Sequence, residues 1–264
     1  MFRIELHSHA RHGSCDGMFD EKELPIQLAK AGYNGFVISN HYDKRQLAKY
    51  LIDGYANVRC SEYAGRCDCI FGHIDLDSIR EDKYREYYHQ WLASVKLIIL
   101  NSESCGIKCY CGMEYTLDDG GHVGIIGLSV KDFEDEIILP NKDINYVWRY
   151  VTDRGGLVIQ NHPFRHCKPI HAAVSGYECV NTKYSDMSDV YAESEFNKKS
   201  GRLGLFVCGG DVHSMDGIGR CYTGMPKLPR NEKELVSSLL SGKYHNYIAN
   251  DFNDLSKGYR RCEV

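Results

Sequence analysis

The chain has 264 residues, of which 43% are hydrophobic and 26% are charged, a balance typical of a folded protein rather than a disordered one. Its net charge of -4 disfavours a protein that holds nucleic acid on a broad basic surface. The opening MFRIELHSHA has no secretion signal, and no uncharged apolar stretch is long enough to span a bilayer, so we expect a cytoplasmic protein.

The sequence gives no sign of a domain boundary. No repeat, low-complexity tract or Pro-rich linker divides it, and its six prolines are scattered, so a single domain over residues 1–264 is predicted. The twelve cysteines are spread along the chain, which favours reduced thiols over a disulfide framework. The densest group, Cys60, Cys67 and Cys69, does not have the spacing of a tetrahedral zinc site.

Short apolar runs alternate with amphipathic segments along the chain. Residues 2–6 predict a strand, 21–31 a helix and 35–39 a second strand. A long helix is predicted over 77–100, and residues 50–71 before it are expected to be irregular. The remaining predicted elements are strands at 107–113, 123–128, 156–160 and 203–208 and helices at 144–152 and 188–199. This rhythm indicates parallel β/α units.

Metal-type ligands stand at the ends of five predicted strands. The carboxyl ends of parallel strands meet on one face, so these side chains are expected to converge there. His-x-His on an extended segment turns both imidazoles to the same side, where two nitrogens can reach one cation. A single His after a strand is usually structural, and it is the recurrence that favours a metal centre. The residues are His7 and His9, His41, Glu114, His162, and Asp211 with His213.

The order of these motifs resembles the polymerase and histidinol phosphatase (PHP) domain family. The opening His-x-His followed by Asp-Gly matches His7-Ser8-His9 and Asp16-Gly17, and the family's Thr-Asp-His is similar to Ser39-Asn40-His41. The later motifs match Gly112-Met113-Glu114, His162-Pro163, and Gly210-Asp211-Val212-His213. The resemblance spans residues 1 to about 225 and follows the family's order.

This resemblance implies an α/β fold of the distorted (β/α)7 barrel type that holds two or three divalent metal ions. The first ion would take His7, His9, Glu114 and Asp211. Glu114 would bridge to a second ion that is held also by His122 and His162, and a third ion would take Asp16, His41 and His213. A carboxylate between two cations reduces their repulsion. Such a mixed His and carboxylate set suits zinc, iron or manganese.

Three positions depart from the family's pattern. Ser39-Asn40 replaces Thr-Asp, which changes a partner of the ligand and leaves His41 in place. The family's His often stands where Gly124 is here, and His122 would supply the ligand from two residues earlier on the same face. His12 is an alternative to Asp16, and Asp16 is preferred because Asp-Gly fits the motif.

Four basic side chains are candidates for binding substrate. Arg165 is preferred, because a guanidinium just beyond a metal-binding loop can pair with two phosphate oxygens. Arg11, Lys44 and His171 are weaker candidates from other loops of the same face. Glu178 also ends near this face, where a structural hydrogen bond is at least as reasonable as a catalytic role.

The predicted reaction is hydrolysis of a small phosphomonoester by a metal-bound hydroxide in a di- or trinuclear site. Glu114, Asp211 and His213 are the predicted catalytic residues, and His213 is one candidate for protonating the leaving oxygen. The alternative is a 5'-3' exonuclease or nucleotide phosphodiesterase that trims short single-stranded ends. A non-catalytic metal-bound module ranks lowest. The expected partner is a small phosphorylated substrate, or in the alternative a nucleotide or short single strand, with no membrane.

Overall fold

The computed structural model describes residues 1–14, 16–47, 80–163, 171–183 and 204–262. Within them the strands are β1 (Phe2–Ser8), β2 (Gly35–Ile38), β3 (His41–Tyr42), β4 (Lys108–Thr116), β5 (His122–Ile126), β6 (Leu157–Gln160), β7 (Gly176–Asn181), β8 (Leu205–Gly209), β9 (Cys221–Met225), β10 (His245–Ala249) and β11 (Tyr259–Arg261). The α-helices are α1 (Glu23–Lys30), α2 (Glu81–Ser104), α3 (Val130–Asp135), α4 (Ile144–Thr152) and α5 (Glu232–Leu240).

The strands form one mixed sheet in the order β11-β10-β9-β1-β2-β4-β5-β6-β7-β8, with β3 paired to β4. The sheet curls until the chain after β8 meets the end of β1, where Ser8 and Val212 form a parallel bridge. Two backbone hydrogen bonds fix this junction, from His9 N to Val212 O at 2.9 Å and from Val212 N to His7 O at 3.0 Å. The molecule is therefore a mixed α/β protein with a curled, half-barrel sheet, and the predicted α/β class is confirmed.

The prediction of uniformly parallel units is wrong at β5. This strand runs antiparallel to both β4 and β6, whereas β1, β2 and β4 run parallel, as do β6, β7 and β8. Only residues 117–121 connect β4 to β5. A connection this short can join only antiparallel strands, because a parallel pair needs a long crossover. Strands β9 to β11 extend the sheet beside β1 as an antiparallel meander.

Helix α2 forms its buried side from positions three or four residues apart, as an amphipathic helix requires. Tyr88, Trp91 and Val95 are fully or almost fully buried. The Trp91 ring lies 6.0 Å from the ring centroids of both Tyr88 and Tyr42, the latter at the end of β3. This aromatic cluster fixes the β3–β4 edge of the sheet against the helix, and His41 precedes Tyr42 directly.

Several predicted boundaries agree with the structure. Helix α4 has the predicted bounds, because Asp143 caps it by accepting hydrogen bonds from the backbone of Asn145 and Tyr146. Helix α2 ends at Ser104, four residues beyond the prediction. The predicted start of α2, most of the irregular segment 50–71 and the predicted helix 188–199 lie outside the described residues.

The cysteines of the described part are consistent with a reduced protein. Cys105, Cys109, Cys111, Cys179, Cys208 and Cys221 carry free thiols, and all except Cys105 are buried. Burial raises the pKa of the Cys109, Cys111, Cys179 and Cys221 thiols, which keeps them protonated and unreactive. Cys60, Cys67 and Cys69 lie outside the described residues. None of the helices that the structure describes is long and apolar enough to cross a membrane.

Candidate metal centre

The predicted ligands come together where the sheet curls. The end of β1 supplies His7, β3 supplies His41, β4 supplies Glu114, and β5 supplies His122 from its first residue. The remaining members stand in the segments that follow strands: His9 and Asp16 after β1, His162 after β6, and Asp211 and His213 after β8. Among the described residues these side chains form one buried cluster, at whose edge Asp16 and His122 are partly exposed.

Glu114 lies at the centre of the cluster and is completely buried. Its Oε2 is 2.9 Å from His41 Nδ1, 3.4 Å from His7 Nε2 and 3.5 Å from His9 Nε2. Its Oε1 is 3.1 Å from both His122 Nδ1 and His162 Nε2. The two oxygens of one carboxylate thus face two separate groups of imidazoles.

Asp211 contacts the histidines that β1 and the segment after it supply. Its Oδ1 is 3.2 Å from His9 Nε2 and 3.5 Å from His7 Nε2. On the other side, Asp16 Oδ2 is 3.0 Å from His213 Nε2, and Asp16 Oδ1 is 3.5 Å from His41 Nε2. Each carboxylate of the cluster is therefore shared by at least two histidines.

Three groups of side chains have ligand atoms that all lie within 4.8 Å of one another, close enough to hold an ion. They are His7, His9 and Asp211; His41, Glu114 and His122; and His9, His41 and His213. The groups share His9 and His41. The geometry thus assembles the predicted ligands in one contiguous cluster and does not divide them into the three sets that the resemblance implies.

The chemistry of the donor atoms fits a metal ion. His7 Nε2 and His9 Nε2 are buried and make no hydrogen bond within the described structure, although buried polar atoms normally have a partner. The opposite ring nitrogens are held in place: His7 Nδ1 lies 2.9 Å from Glu178 Oε1, and His9 Nδ1 lies 2.9 Å from Ser14 Oγ. A proton on each Nδ1 leaves the lone pair of Nε2 directed into the cluster, as metal-binding histidines require.

The electrostatics keep the carboxylates ionised. Burial by itself raises the pKa of Glu114, but the positive charge that His7, His41 and His122 carry when protonated holds that pKa well below its ordinary range, and divalent ions would supply positive charge in its place. Asp211 is also buried, and its pKa is held low by His7 and His213. Ionised carboxylates beside imidazoles are the ligand set expected for a transition-metal ion.

Two of these residues have unusual backbone conformations. Apart from glycine, positive φ angles occur in the described chain only at Asn141, His162 and Asp211. His162 has φ 27° and Asp211 has φ 47°, a region that costs free energy in side-chain-bearing residues and is concentrated at functional sites. Both follow a strand that ends at the cluster, and the unusual turn directs each side chain into it.

The residues at the departing positions lie in different surroundings. His12 is paired with Glu21 through Nδ1, while Asp16 lies beside His41 and His213. His122 reaches Glu114 from the first residue of β5. Gly124 stands directly opposite Glu114 in the β4–β5 ladder, and a Cβ there would lie 2.9 Å from Asn161 Oδ1.

Asn40, which replaces the family's Asp, has a structural role. Its side-chain oxygen accepts a hydrogen bond from Ala10 N at 2.7 Å, and its carbonyl accepts one from Glu114 N at 3.1 Å. These bonds tie the loop after β1 to β4.

The predicted substrate-binding residues lie in several loops. Arg165 is outside the described residues. Arg11 donates to the Met18 carbonyl, and His171 Nε2 lies 3.2 Å from Asp119 Oδ2 in the β4–β5 turn. Lys44 is half-buried, and its backbone N–H donates to Asn141 Oδ1 at 2.7 Å.

Sequence reasoning missed Lys183 and Asn161 and left the role of Glu178 open. Lys183 Nζ lies 3.2 Å from His213 Nε2, and Asn161 Nδ2 donates to Glu114 Oε1 at 3.0 Å. Glu178 binds His7 through Oε1 and accepts from His162 N through Oε2 at 2.8 Å. Lys183 follows β7 by two residues, so the strand-end rule that found the ligands could also have identified it.

Comparison with known proteins shows a likeness of fold. No family model matches the sequence, and no curated protein matches it. PsfC from Pseudomonas syringae superimposes with a TM-score of 0.57 at 14% identity, covering 97% of this chain and 96% of PsfC. At that identity the likeness shows the fold alone.

Two further solved structures superimpose more loosely. A Bifidobacterium adolescentis protein assigned as a metal-dependent phosphoesterase gives a TM-score of 0.44 at 12% identity, with 90% of this chain and 95% of that chain covered. An amidohydrolase from Chromobacterium violaceum with bound sulfate and no metal gives 0.43 at 12% identity, with 80% and 87% covered. Neither superposition is close enough to carry an argument about this chain.

Glu5 lies behind the cluster and is completely buried. Burial raises the pKa of its carboxyl to about 8, and the hydrogen bonds that Oε1 accepts from Gly210 N at 2.7 Å and His7 N at 3.0 Å only partly oppose the rise. The ordinary pKa of a glutamate is near 4.5. Between these values the unfolded chain gives up a proton that the folded chain keeps, so the contribution of Glu5 to stability falls as pH rises from about 4.5 to about 8.

Replacing Glu5 by Gln should remove this pH dependence, because an amide is neutral throughout and its oxygen can still accept from both N–H groups. We expect the difference in free energy of unfolding, Glu5→Gln minus parent protein, to increase as the pH rises from 5 to 8. The increase should be at most about 1.4 kcal/mol per pH unit. Urea denaturation of both proteins under identical metal loading measures it. Glu103→Gln on the exposed end of α2 is the control, and a difference that is constant over this range would contradict the assignment.

Proposed function

We propose that this chain is a metal-dependent phosphoesterase, and that its substrate is a small phosphomonoester. The single observation that supports the proposal most strongly is Glu114, whose two oxygens face two groups of imidazoles in a fully buried site. A carboxylate placed in this way is suited to bridge two divalent ions, with manganese, iron and zinc as the candidates. The finer architecture that we propose is the distorted (β/α)7 barrel of PHP type.

Two groups of residues would bind the two metal ions. His7, His9 and Asp211 would hold one ion on the Oε2 side of Glu114, and His122 and His162 would hold another on the Oε1 side. Glu178 and Ser14 orient His7 and His9 through their Nδ1 atoms. Bound divalent ions would lower the pKa of a water molecule and balance the charge that develops on phosphoryl oxygens.

Arg165, which lies outside the described residues, and His213 are proposed to act on an anionic substrate. Arg165 is proposed to pair with two phosphate oxygens, because a guanidinium matches the geometry of that group. His213 Nε2 is 3.0 Å from Asp16 Oδ2 and 3.2 Å from Lys183 Nζ, and a proton held among these three groups is proposed to reach the leaving oxygen of the substrate. The net charge of -4 over the whole chain is compatible with a small anion held by local charges.

Hydrolysis of a panel of substrates tests the proposal. Metal-free protein is reconstituted with manganese, zinc or iron and offered phosphomonoesters, nucleotides and short single-stranded oligonucleotides. We expect inorganic phosphate to be released from one or more small phosphomonoesters. Release of mononucleotides from oligonucleotides would replace the phosphatase assignment with the exonuclease alternative. Metal uptake without hydrolysis of any substrate would favour a non-catalytic module.

Glu114→Gln should abolish the function through loss of metal. The amide keeps the shape of the side chain and removes the charge shared by the two groups of histidines, so metal content should fall and turnover should drop by more than about 100-fold. Elemental analysis and phosphate release measure the two effects. Glu21→Gln is the matched control, because Glu21 is also buried but is paired with His12 and Ser94. A fully active Glu114→Gln enzyme would contradict the mechanism.

A further inference from the structure

The ammonium group of Lys183 lies among the residues that the resemblance assigns to a third metal ion. Lys183 Nζ is 3.2 Å from His213 Nε2 and 3.8 Å from Asp16 Oδ2, and it is 3.7 Å from Asp211 Oδ1. His213 and Asp16 are two of the three residues implied for that ion. The third, His41, faces Asp16 from the other side at 3.5 Å.

The backbone at Lys183 is anchored to the cluster. Lys183 N donates to Asn181 Oδ1 at 3.2 Å, and Asn181 Nδ2 donates to Glu178 Oε2 at 2.9 Å. Only 26% of the Lys183 side chain is exposed, whereas lysines usually project into solvent. The segment that follows β7 thus directs the Lys183 side chain into the site.

The other side of the cluster lacks such a cation. His7 Nε2 and His9 Nε2 are buried without a hydrogen-bond partner in the described residues, and no lysine or arginine is paired with Glu114 there. Among the described residues the two sides of the cluster thus differ: histidines and the Asn161 amide face Glu114, while an amino group supplies positive charge to Asp16.

We infer that the Lys183 ammonium takes the position of the third ion, so that this centre binds two divalent ions and one fixed amino group. The inference rests on the proposed function, because it presumes the metal centre around Glu114. An ion coordinated by both His213 and Asp16 would lie a few ångströms from this ammonium and would be strongly repelled by it, whereas the ion proposed beside His7 and His9 shares the negative charge of Asp211 with the ammonium. The lysine also has three N–H donors: one can bond to His213 Nε2 at 3.2 Å, and another could serve a substrate oxygen at the open edge, while the two carboxylates lie at ion-pair distance.

Counting the bound ions tests the inference. Metal-free parent protein and Lys183→Ala are equilibrated with excess Mn²⁺, separated from unbound ion by gel filtration, and analysed for manganese per chain. We expect about two ions in the parent protein and about three in Lys183→Ala, because removing the amino group frees His213, Asp16 and His41 for an ion. Lys131→Ala, which removes an exposed lysine paired with Asp135, should keep about two.

Each other outcome has a definite meaning. Three ions in the parent protein, or two in both proteins, would overturn the inference and leave the proposed function standing. None or one in the parent protein would overturn the proposed function, and the inference with it. Lys183→Gln, which loses the charge but keeps a polar side chain, is measured in parallel, and circular dichroism establishes that each variant is folded. If Lys183→Ala does not fold, the count for Lys183→Gln decides in its place.

Discussion

A carboxylate that is removed completely from water remains ionised only if compensating positive charge surrounds it. Glu114 is completely buried, so the surrounding structure must supply that charge. Five histidines approach its two oxygens. Neutral imidazoles alone would leave several buried nitrogens without partners, as they do at His7 and His9. Divalent ions would satisfy the carboxylate and the imidazoles together, which is why the cluster is best understood as a metal centre.

The fold serves this requirement through two features of the sheet. The antiparallel β5 places its first residue, His122, rather than its last, beside Glu114 on β4. The curl of the sheet brings the segment after β8 against the end of β1, so that Asp211 and His213 join His7 and His9. The backbone at Asp211 turns through an unfavourable φ to do so, a cost that the contacts of its side chain offset.

Much of the site was predictable because its residues follow strands. The apolar runs were visible as strands, and the carboxyl ends of parallel strands share a face, so His9, Glu114, His162 and Asp211 were expected to meet. The direction of β5 could have been predicted from the short segment between the two predicted strands, since a parallel pair needs a crossover of a dozen or more residues. The position of His122 was uncertain by two residues because the motif that the sequence resembles often has its His where Gly124 stands here.

Other features depended on tertiary contacts that no local pattern reveals. Glu178 and Ser14 act on His7 and His9 from distant segments, and their residue types alone do not separate an orienting role from a structural one. Lys183 follows β7 by two residues, so the strand-end rule places it on the face of the ligands, but its contacts with Asp16 and His213 depend on the curl of the sheet. Strands β9 to β11 lie largely beyond the recognised motifs and extend the sheet beside β1.

The position of the ions is the most direct measure of whether Glu114 bridges a binuclear centre. Crystals of manganese-loaded protein, measured at the manganese absorption edge, should show anomalous density on both sides of this carboxylate. One peak is expected between Oε2 and the side chains of His7, His9 and Asp211, and another between Oε1 and those of His122 and His162. Loaded crystals without anomalous density at either oxygen of Glu114 would contradict the account.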